Sequence, residues 1–179
     1  NLACPYHGWT YSLKGELLRA PALGAVKNFR KEEMGLVPIP LHVQGPFVFL
    51  SFSGKKSPLP AGWSSLFSRL ESSGYEKLHF VCRREYEIKC NWKVYVDNYL
   101  DGGYHVSVLH GDLASRLDMG GYKIENFDHW TLQSCGGKGD ARVGDEALYA
   151  WLYPNFMINR YGRIMDTNWV IPLGPDRCL

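Results

Sequence analysis

The hydrophobic and polar positions of the first third of the chain predict short strands joined by turns. Residues 1–52 are rich in glycine, proline and short apolar runs. The segment LKGEL (13–17) predicts a hairpin that turns at Gly15, and GPFVFLSF (45–52) predicts a buried strand. We therefore expect a small antiparallel β domain here.

The composition changes after this segment. SGKKSPLPAGW (53–63) is rich in lysine, serine, proline and glycine, which predicts a linker. In WSSLFSRLESS (63–73) the residues Leu66, Phe67 and Leu70 share one face of a short predicted helix.

The second half predicts strands around one helix. In REYEIKCNWKVYV (84–96), the side chains of Tyr86, Ile88, Cys90 and Trp92 would share one side of an alternating strand. A helix is predicted from about Trp92 or Lys93 to His105.

The last segments predict a loop and a pair of strands. The composition of QSCGGKGDARVGDE (133–146) is typical of a flexible loop. Residues 147–174 predict two strands that turn at 160–163, with the tyrosines and tryptophans expected of strands that wall a pocket.

Composition excludes several classes of protein. The 179 residues carry a net charge of +2, with 45% hydrophobic and 21% charged residues. This balance gives no electrostatic case for binding nucleic acid or an anionic membrane, and no apolar run approaches the length that spans a bilayer. The 5 cysteines are scattered and odd in number, which argues against a disulfide framework.

The first candidate metal ligands lie in CPYHGW (4–9). Cys4 and His7 form a Cys-x-x-His pair, and the proline and glycine around them favour a tight loop of the kind that a cluster needs. The alternative is a buried free cysteine beside a histidine in a turn, which would have no role in metal binding.

The second candidate site lies in NWKVYVDNYLDGGYHVSVLHGDL (91–113). Asp97, Asp101 and His105 are spaced by four residues, so each step turns the helix by about 40° and places them on one stripe. His110 lies five residues beyond His105, about 140° around a regular helix, so the helix must end or distort for both imidazoles to meet one metal. Alternatively, the aspartates form a solvated face and the histidines act separately.

Both segments resemble one family. CPYHGW resembles the second ligand loop of a Rieske [2Fe–2S] domain, and NWKVYVDNYLDGGYHVSVLH resembles the mononuclear-iron motif of Rieske ring-hydroxylating oxygenase α subunits. The resemblance implies an α+β fold, with a partial Rieske antiparallel β domain followed by a partial helix-grip catalytic domain. It would divide the chain into the C-terminal half of the Rieske domain (1–53), a linker with a short helix (54–77) and the N-terminal part of the catalytic domain (78–179).

The resemblance also implies roles for individual residues. Cys4 would bind one iron of the cluster and His7 the other, because cysteines and histidines divide the two irons of a Rieske centre. The partner Cys-x-His loop is expected before Asn1. His105 and His110 would bind the mononuclear Fe(II).

Two polar residues near the histidines take supporting roles by the same resemblance. Asn98 matches an asparagine beside the iron. Asp101 is the candidate for the acid that connects to a Rieske histidine of a neighbouring subunit, although the family usually places this acid at the position of Gly102. The third iron ligand is expected beyond Leu179. Carboxylates available within the chain, without a spacing argument for any, are Asp118, Asp145, Glu146 and Asp166.

The implied activity is that of a monooxygenase. Electrons from a ferredoxin or reductase would pass through the [2Fe–2S] cluster to Fe(II), which activates O₂. The DNYLDGGYHV segment is most similar to the branch of the family that hydroxylates choline to betaine aldehyde hydrate, and aromatic side chains suit such a quaternary amine. Aromatic residues of the catalytic half are Tyr149, Trp151, Tyr153, Phe156, Tyr161 and Trp169.

Other substrates and another class stay open. An aromatic ring, carnitine or glycine betaine could replace choline, and an electron-transfer protein without oxygenase activity is the alternative of a different class. The presence of Asn98, Asp101, His105 and His110 argues against the latter. The family arrangement implies a homo-oligomer, often a trimeric ring, that is soluble in the chloroplast stroma of a plant or in the cytoplasm otherwise.

Overall fold

The computed structural model describes residues 1–53, 59–60, 62–139 and 143–179. These residues divide into two units. The first comprises residues 1–43 and 47–53, and the second comprises residues 44–46 and the described chain from Leu59 onwards.

Short antiparallel strands build the first unit. Strands β1 (Leu2–Ala3), β2 (Thr10–Tyr11) and β3 (Leu17–Arg19) form one sheet in that order. The predicted hairpin at Gly15 is confirmed, because β2 and β3 pair across it and Gly15 has a φ of +88°. A 3₁₀ turn at Lys31–Glu33 follows.

A second hairpin contains the strand predicted at 45–52. Strand β4 (Leu41–Gln44) pairs with β5 (Phe47–Leu50), so the prediction of a strand is confirmed. The prediction that it is buried is wrong, since Val48 and Leu50 are 63% and 52% exposed. A continuous apolar run predicts burial of both faces, whereas the alternate side chains of this strand face solvent.

The helices of the second unit precede its strands. Helix α1 (Trp63–Ser72) is confirmed with Leu66, Phe67 and Leu70 buried on one face. After a 3₁₀ turn at Tyr75–Lys77, the remaining helices are α2 (Trp92–Leu100), α3 (Tyr104–Leu109) and α4 (Gly111–Arg116). The stretch of the chain predicted as a linker includes residues 54–58 and 61, which lie outside the described residues.

An antiparallel five-stranded sheet forms the body of the second unit. Its strands are β6 (Leu117–Phe127), β7 (Trp130–Gly137), β8 (Glu146–Leu152), β9 (Phe156–Tyr161) and β10 (Ile164–Trp169). They are neighbours in chain order, so the sheet is a simple meander. A two-stranded ribbon of β11 (Pro172–Gly174) and β12 (Arg177–Cys178) follows. The architecture confirms the α+β class.

The strand predicted at 84–96 is wrong. This segment makes one isolated bridge, between Ile88 and Cys178, before α2 begins. Ile88, Cys90 and Trp92 pack against the core as the alternation predicts, but Tyr86 is 63% exposed. The segment is extended without a long pairing partner, because β12 is only 2 residues long.

Two further boundaries differ from the prediction. Residues 147–174 contain three main strands rather than two: the turn at 160–163 is confirmed between β9 and β10, and a second turn separates β8 from β9. The predicted loop at 133–146 is shorter, since β7 continues to Gly137 and β8 starts at Glu146. Residues 140–142 of it are outside the described residues.

Apolar packing holds the helices on the sheet. Val96 of α2 is buried with Met157, Val170 and Cys178. A second cluster, Leu117, Cys135, Val143 and Ala147, is covered by side chains that include Val106 of α3 and Leu113 of α4. Among the described residues, no helix is long and apolar enough to cross a membrane.

Candidate metal centres

The Cys4–His7 segment folds as a closed loop between β1 and β2. The Cys4 N–H donates to the Trp9 carbonyl at 2.8 Å, and the Gly8 N–H donates to the Cys4 carbonyl at 3.0 Å. Gly8 has a φ of +71°, a conformation that glycine adopts without steric cost. Cys4 is half-buried and His7 is exposed, so one short turn offers both a sulfur and an imidazole ligand.

The helix predicted to run through His105 is interrupted before it. Helix α2 ends at Leu100, and Asp101 follows as its C-terminal cap. Gly102 and Gly103 have φ values of +74° and +76°, which reverse the backbone before α3 begins at Tyr104. The predicted helical stripe through Asp97, Asp101 and His105 is therefore wrong, and the close approach of Asp101 to His105 is made across this glycine kink.

Asp101 binds both the backbone and the ring of His105. Its Oδ2 lies 2.5 Å from His105 Nδ1 and accepts the His105 N–H at 3.2 Å, and its Oδ1 accepts the Gly103 N–H at 3.0 Å. Partial burial by itself raises the pKa of Asp101, but hydrogen bonds and the charge of His105, with the Gly103 N–H, lower it overall. An ionised Asp101 accepts the proton of Nδ1, which leaves the Nε2 lone pair for a metal.

His110 ends α3 and faces the ring of His105. Its N–H donates to the Val106 carbonyl at 3.0 Å, and its φ of −118° and ψ of 54° leave the helical region. The two imidazole centroids are 5.3 Å apart at an interplanar angle of 78°. The prediction that the helix must end or distort between the two histidines is confirmed, because α3 ends at Leu109. The rings are close enough to share one metal ion.

Within the described part of the chain, the remaining residues predicted for the iron site do not join the histidine pair as ligands. Asn98 and Asp97 are exposed on α2, just before the kink. Among the described residues, no group of three or more histidine, cysteine or carboxylate side chains could hold a metal. Two of the four carboxylates considered as third ligands have other partners: Glu146 pairs with Arg69 at 3.1 Å, and Asp166 accepts from Asn159 at 2.7 Å.

Sequence reasoning missed a buried polar network under the glycine kink. Tyr99, Gln133 and Asn159 form its centre, and Gln133 is 2% exposed. Burial, followed by the Asp166 carboxylate, raises the pKa of Tyr99 well above its usual value. The available signal was a glutamine within the apolar run WTLQSC, but that residue was assigned to a loop.

The two sites together define a class of protein. A small β unit offers a Cys-x-x-His loop, and a larger α+β unit offers two histidines supported by a carboxylate. This is the donor set of an iron protein that combines a cluster with a mononuclear site.

Comparison with known proteins identifies the family. Residues 75–179 match the catalytic domain of the ring hydroxylating alpha subunit, and residues 1–30 match the Rieske [2Fe-2S] domain. The chain therefore belongs to the family of Rieske ring-hydroxylating oxygenase alpha subunits. The predicted resemblance is confirmed, as is the use by this family of a [2Fe–2S] cluster and a mononuclear iron centre.

Individual relatives agree with this family. The chain is 47% identical to the chloroplastic choline monooxygenase of Arabidopsis thaliana, over 98% of the chain and 46% of that protein. It is 30% identical to the carnitine monooxygenase oxygenase subunit of Acinetobacter pittii, over 88% of the chain and 45% of the relative. The chain thus spans about half the length of these relatives.

A solved structure has the same fold. A quaternary ammonium Rieske monooxygenase in complex with L-carnitine superposes with a TM-score of 0.77 and 28% identity, over 98% of this chain and 49% of the other. The residues present fit the family's iron groups, because Cys4 and His7 are of the ligand types of a Rieske cluster and the imidazoles of His105 and His110 converge.

Proposed function

We propose that this protein is a Rieske monooxygenase that hydroxylates choline at its alcohol carbon, giving the hydrate of betaine aldehyde. The observation that carries the proposal is the histidine pair with its carboxylate, within a chain that is 47% identical to a choline monooxygenase over nearly its whole length. O₂ is the co-substrate, and a ferredoxin or reductase supplies the electrons.

The chain's own residues hold and orient the metal groups. When bound, the cluster supplies electrons and the mononuclear iron supplies O₂ activation. Cys4 and His7 are two cluster ligands, and His105 and His110 bind the mononuclear iron through imidazole nitrogens. Asp101 holds the proton of His105 at Nδ1, which fixes the ring orientation and makes the opposite nitrogen a better ligand. Asn98, exposed on α2 before the kink, would stand beside the iron.

Asp101 also suits a connection between subunits. Its side chain is 27% exposed although it already binds His105, so one face of the carboxylate remains accessible. A Rieske histidine of a neighbouring subunit would donate to it, which makes the protein a homo-oligomer of the trimeric-ring type. The proposed division is a Rieske domain to residue 53, a linker with a short helix to 77, and a catalytic domain beyond. A carboxylate downstream of the histidine pair completes the iron site as its third ligand.

Aromatic side chains near α3 support a quaternary ammonium substrate. Tyr149 and Tyr161, whose ring centroids are 6.4 Å apart, pack in the same cluster as Val106, the residue after His105. Aromatic faces attract a cation that offers no hydrogen-bond donor. Carnitine is the second candidate, because a solved relative binds it and has the same fold over 98% of this chain. The chloroplastic relatives support a stromal location in a plant.

The test uses the full-length protein with a reductase, O₂ and choline, and it measures betaine aldehyde. Carnitine, glycine betaine and benzoate are run separately as alternative substrates. We expect product from choline at the highest kcat/KM. Turnover of carnitine or benzoate alone would contradict the choline assignment. A reducible cluster without binding of mononuclear iron would instead indicate an electron-transfer protein.

A further inference from the structure

Tyr99, on the last turn of α2, is hydrogen-bonded through both its side chain and its backbone. Its hydroxyl lies 2.7 Å from Asn159 Oδ1 and 3.2 Å from the Ala150 carbonyl. Its own carbonyl accepts from Gln133 Nε2 at 2.9 Å. The last carbonyls of a helix have no partner within the helix, so Gln133 satisfies one of them from the sheet below.

The orientation of the Gln133 amide is determined by its partners. A carbonyl oxygen cannot donate, so the nitrogen of the amide must face Tyr99. The amide oxygen then accepts from the Tyr122 hydroxyl at 2.5 Å. Gln133 is 2% exposed, so loss of either bond leaves a buried polar group without water to replace it.

The Asn159 amide is oriented in the same way. Its nitrogen donates to Asp166 Oδ2 at 2.7 Å and to Asn168 Oδ1 at 3.0 Å. Its oxygen therefore faces the Tyr99 hydroxyl. Two amides, one on β7 and one on β9 at either side of β8, thus hold the end of α2 at one place.

The glycine kink lies directly after this point and contacts the same network. The Tyr122 ring is so close to Gly103 that a Cβ there would lie 3.1 Å from two of its carbon atoms. Tyr122 therefore contacts the kink with its ring and bonds Gln133 with its hydroxyl. Residues 99–103 are held by this pair, and Asp101, between them, binds His105.

We propose that Gln133, supported by Tyr122, is a positioning residue for the mononuclear iron site. By holding the Tyr99 carbonyl it sets where α2 ends and where Asp101 presents its carboxylate to His105. The inference rests on the proposed function, since it assigns to His105 and His110 the binding of iron. Gln133 is hydrogen-bonded to Tyr99 and Tyr122, so it acts through the backbone of residues 99–103.

The test compares Gln133→Met with a matched control in the full-length protein. Methionine retains much of the volume and removes both hydrogen bonds. The control is Asn155→Ala. Asn155 lies in the turn between β8 and β9, and its Nδ2 also donates to a backbone carbonyl, that of Val170, at 2.5 Å. Three quantities are measured: Fe(II) affinity of the mononuclear site, the EPR spectrum of its nitric oxide complex, and amide exchange at Gly103 and His105 in the iron-free protein.

We expect Gln133→Met to weaken Fe(II) binding about tenfold, as loss of groups behind metal ligands commonly does. The nitrosyl spectrum broadens, and the Gly103 and His105 amides exchange about tenfold faster because the kink opens locally. Asn155→Ala leaves all three unchanged. If Gln133→Met leaves iron affinity, spectrum and exchange as in the wild type, whatever its effect on Tm, the role is purely structural and the proposal is overturned.

A second variant decides the question if Gln133→Met does not fold. Tyr122→Phe keeps the ring against Gly103 and removes only the hydroxyl that orients Gln133. Effects in the same direction, about threefold in iron affinity, support the proposal, and wild-type values overturn it. Failure of the wild-type protein to bind Fe(II) at this site would contradict the proposed function, while the exchange rates at Gly103 and His105 would still test the positioning role.

Discussion

The two units differ in what can hold them together. Among the described residues of the first unit, Leu17 alone is buried, while Leu13 and Val37 are each 82% exposed. The second unit buries whole clusters, and Leu66, Leu152 and Met157 have no exposed surface. Its sheet also has five strands, against three and two in the sheets of the first.

This difference in burial predicts that the two units depend on their metals for stability to different extents. The chain spans about half the length of the relatives it matches, so the low apolar burial of the first unit describes this segment of the fold. Ligation of a metal by preorganised loops adds stability to a unit with little apolar burial. A unit with an extensive core can instead hold ligands in place before the metal arrives. We therefore expect the first unit to depend on its cluster for structure, and the second to keep its fold without iron.

The largest effect is expected for Cys4→Ser in the full-length protein. If Cys4 is a cluster ligand as proposed, its loss should remove the visible absorption of the cluster. It should also abolish the proposed hydroxylation, because no electrons would reach the second site. Amide exchange should then become fast throughout the first unit and stay slow in the sheet of the second.

Cys82→Ser is the control, since Cys82 is a free and exposed cysteine. It should leave cluster, exchange and activity unchanged. Slow exchange in the first unit of the Cys4→Ser protein would show that the limited core suffices and would remove the contrast between the units.

The converse experiment is His105→Ala. Loss of this proposed iron ligand should empty the mononuclear site and lower activity at least about 100-fold, because even groups behind ligands contribute 10- to 100-fold. The cluster spectrum and the Tm of the second unit should change little, since its core contains neither histidine. His79→Ala, at an exposed histidine, should bind iron normally. Global unfolding of the His105→Ala protein would contradict the expectation.

Gly103→Ala tests the glycine kink that precedes the proposed iron ligands. A side chain at the φ of +76° costs about 1–2 kcal/mol, and the added Cβ would press on the Tyr122 ring at 3.1 Å. We expect the free energy of unfolding of the iron-free second unit to fall by about 1–3 kcal/mol in urea.

The matched control for the kink is Gly111→Ala at the start of α4. A Cβ at Gly111 meets no atom within 4 Å, and its φ is not positive. Stability should stay constant or rise by up to about 1 kcal/mol, because alanine restricts the unfolded chain. Equal losses in the two variants would show that the kink has no special conformational demand.

Local patterns predicted the parts of the molecule whose structure depends on near neighbours. The spacing of Leu66, Phe67 and Leu70 predicted the buried face of α1, and Gly15 predicted a hairpin. The spacing of His105 and His110 required the helix to end between them, and it does.

Contacts between distant residues were not predictable in this way. The spacing of Asp97, Asp101 and His105 predicted one helix, although the glycines between the last two break it. Ile88 pairs with Cys178, which is too remote in sequence for alternation to reveal. Gln133 has a role only because the sheet brings it beneath Tyr99.

The smallest effect is expected at Arg69, which joins α1 to the sheet within the second unit. Its guanidinium pairs with Glu125 at 3.0 Å and with Glu146 at 3.1 Å, and its side chain is 37% exposed. Because exposed pairs gain little over hydration and are screened by salt, Arg69→Met should lower the free energy of unfolding by less than about 1 kcal/mol at low ionic strength. The difference should shrink further in 1 M salt, where the Debye length is about 3 Å.

Methionine retains the apolar stem of the side chain, and Lys89→Met makes the same charge change at an exposed position outside this network. A loss above about 2 kcal/mol that persists in high salt would mean that the second unit depends on these ion pairs for its stability. The contrast between the units would then no longer rest on core burial.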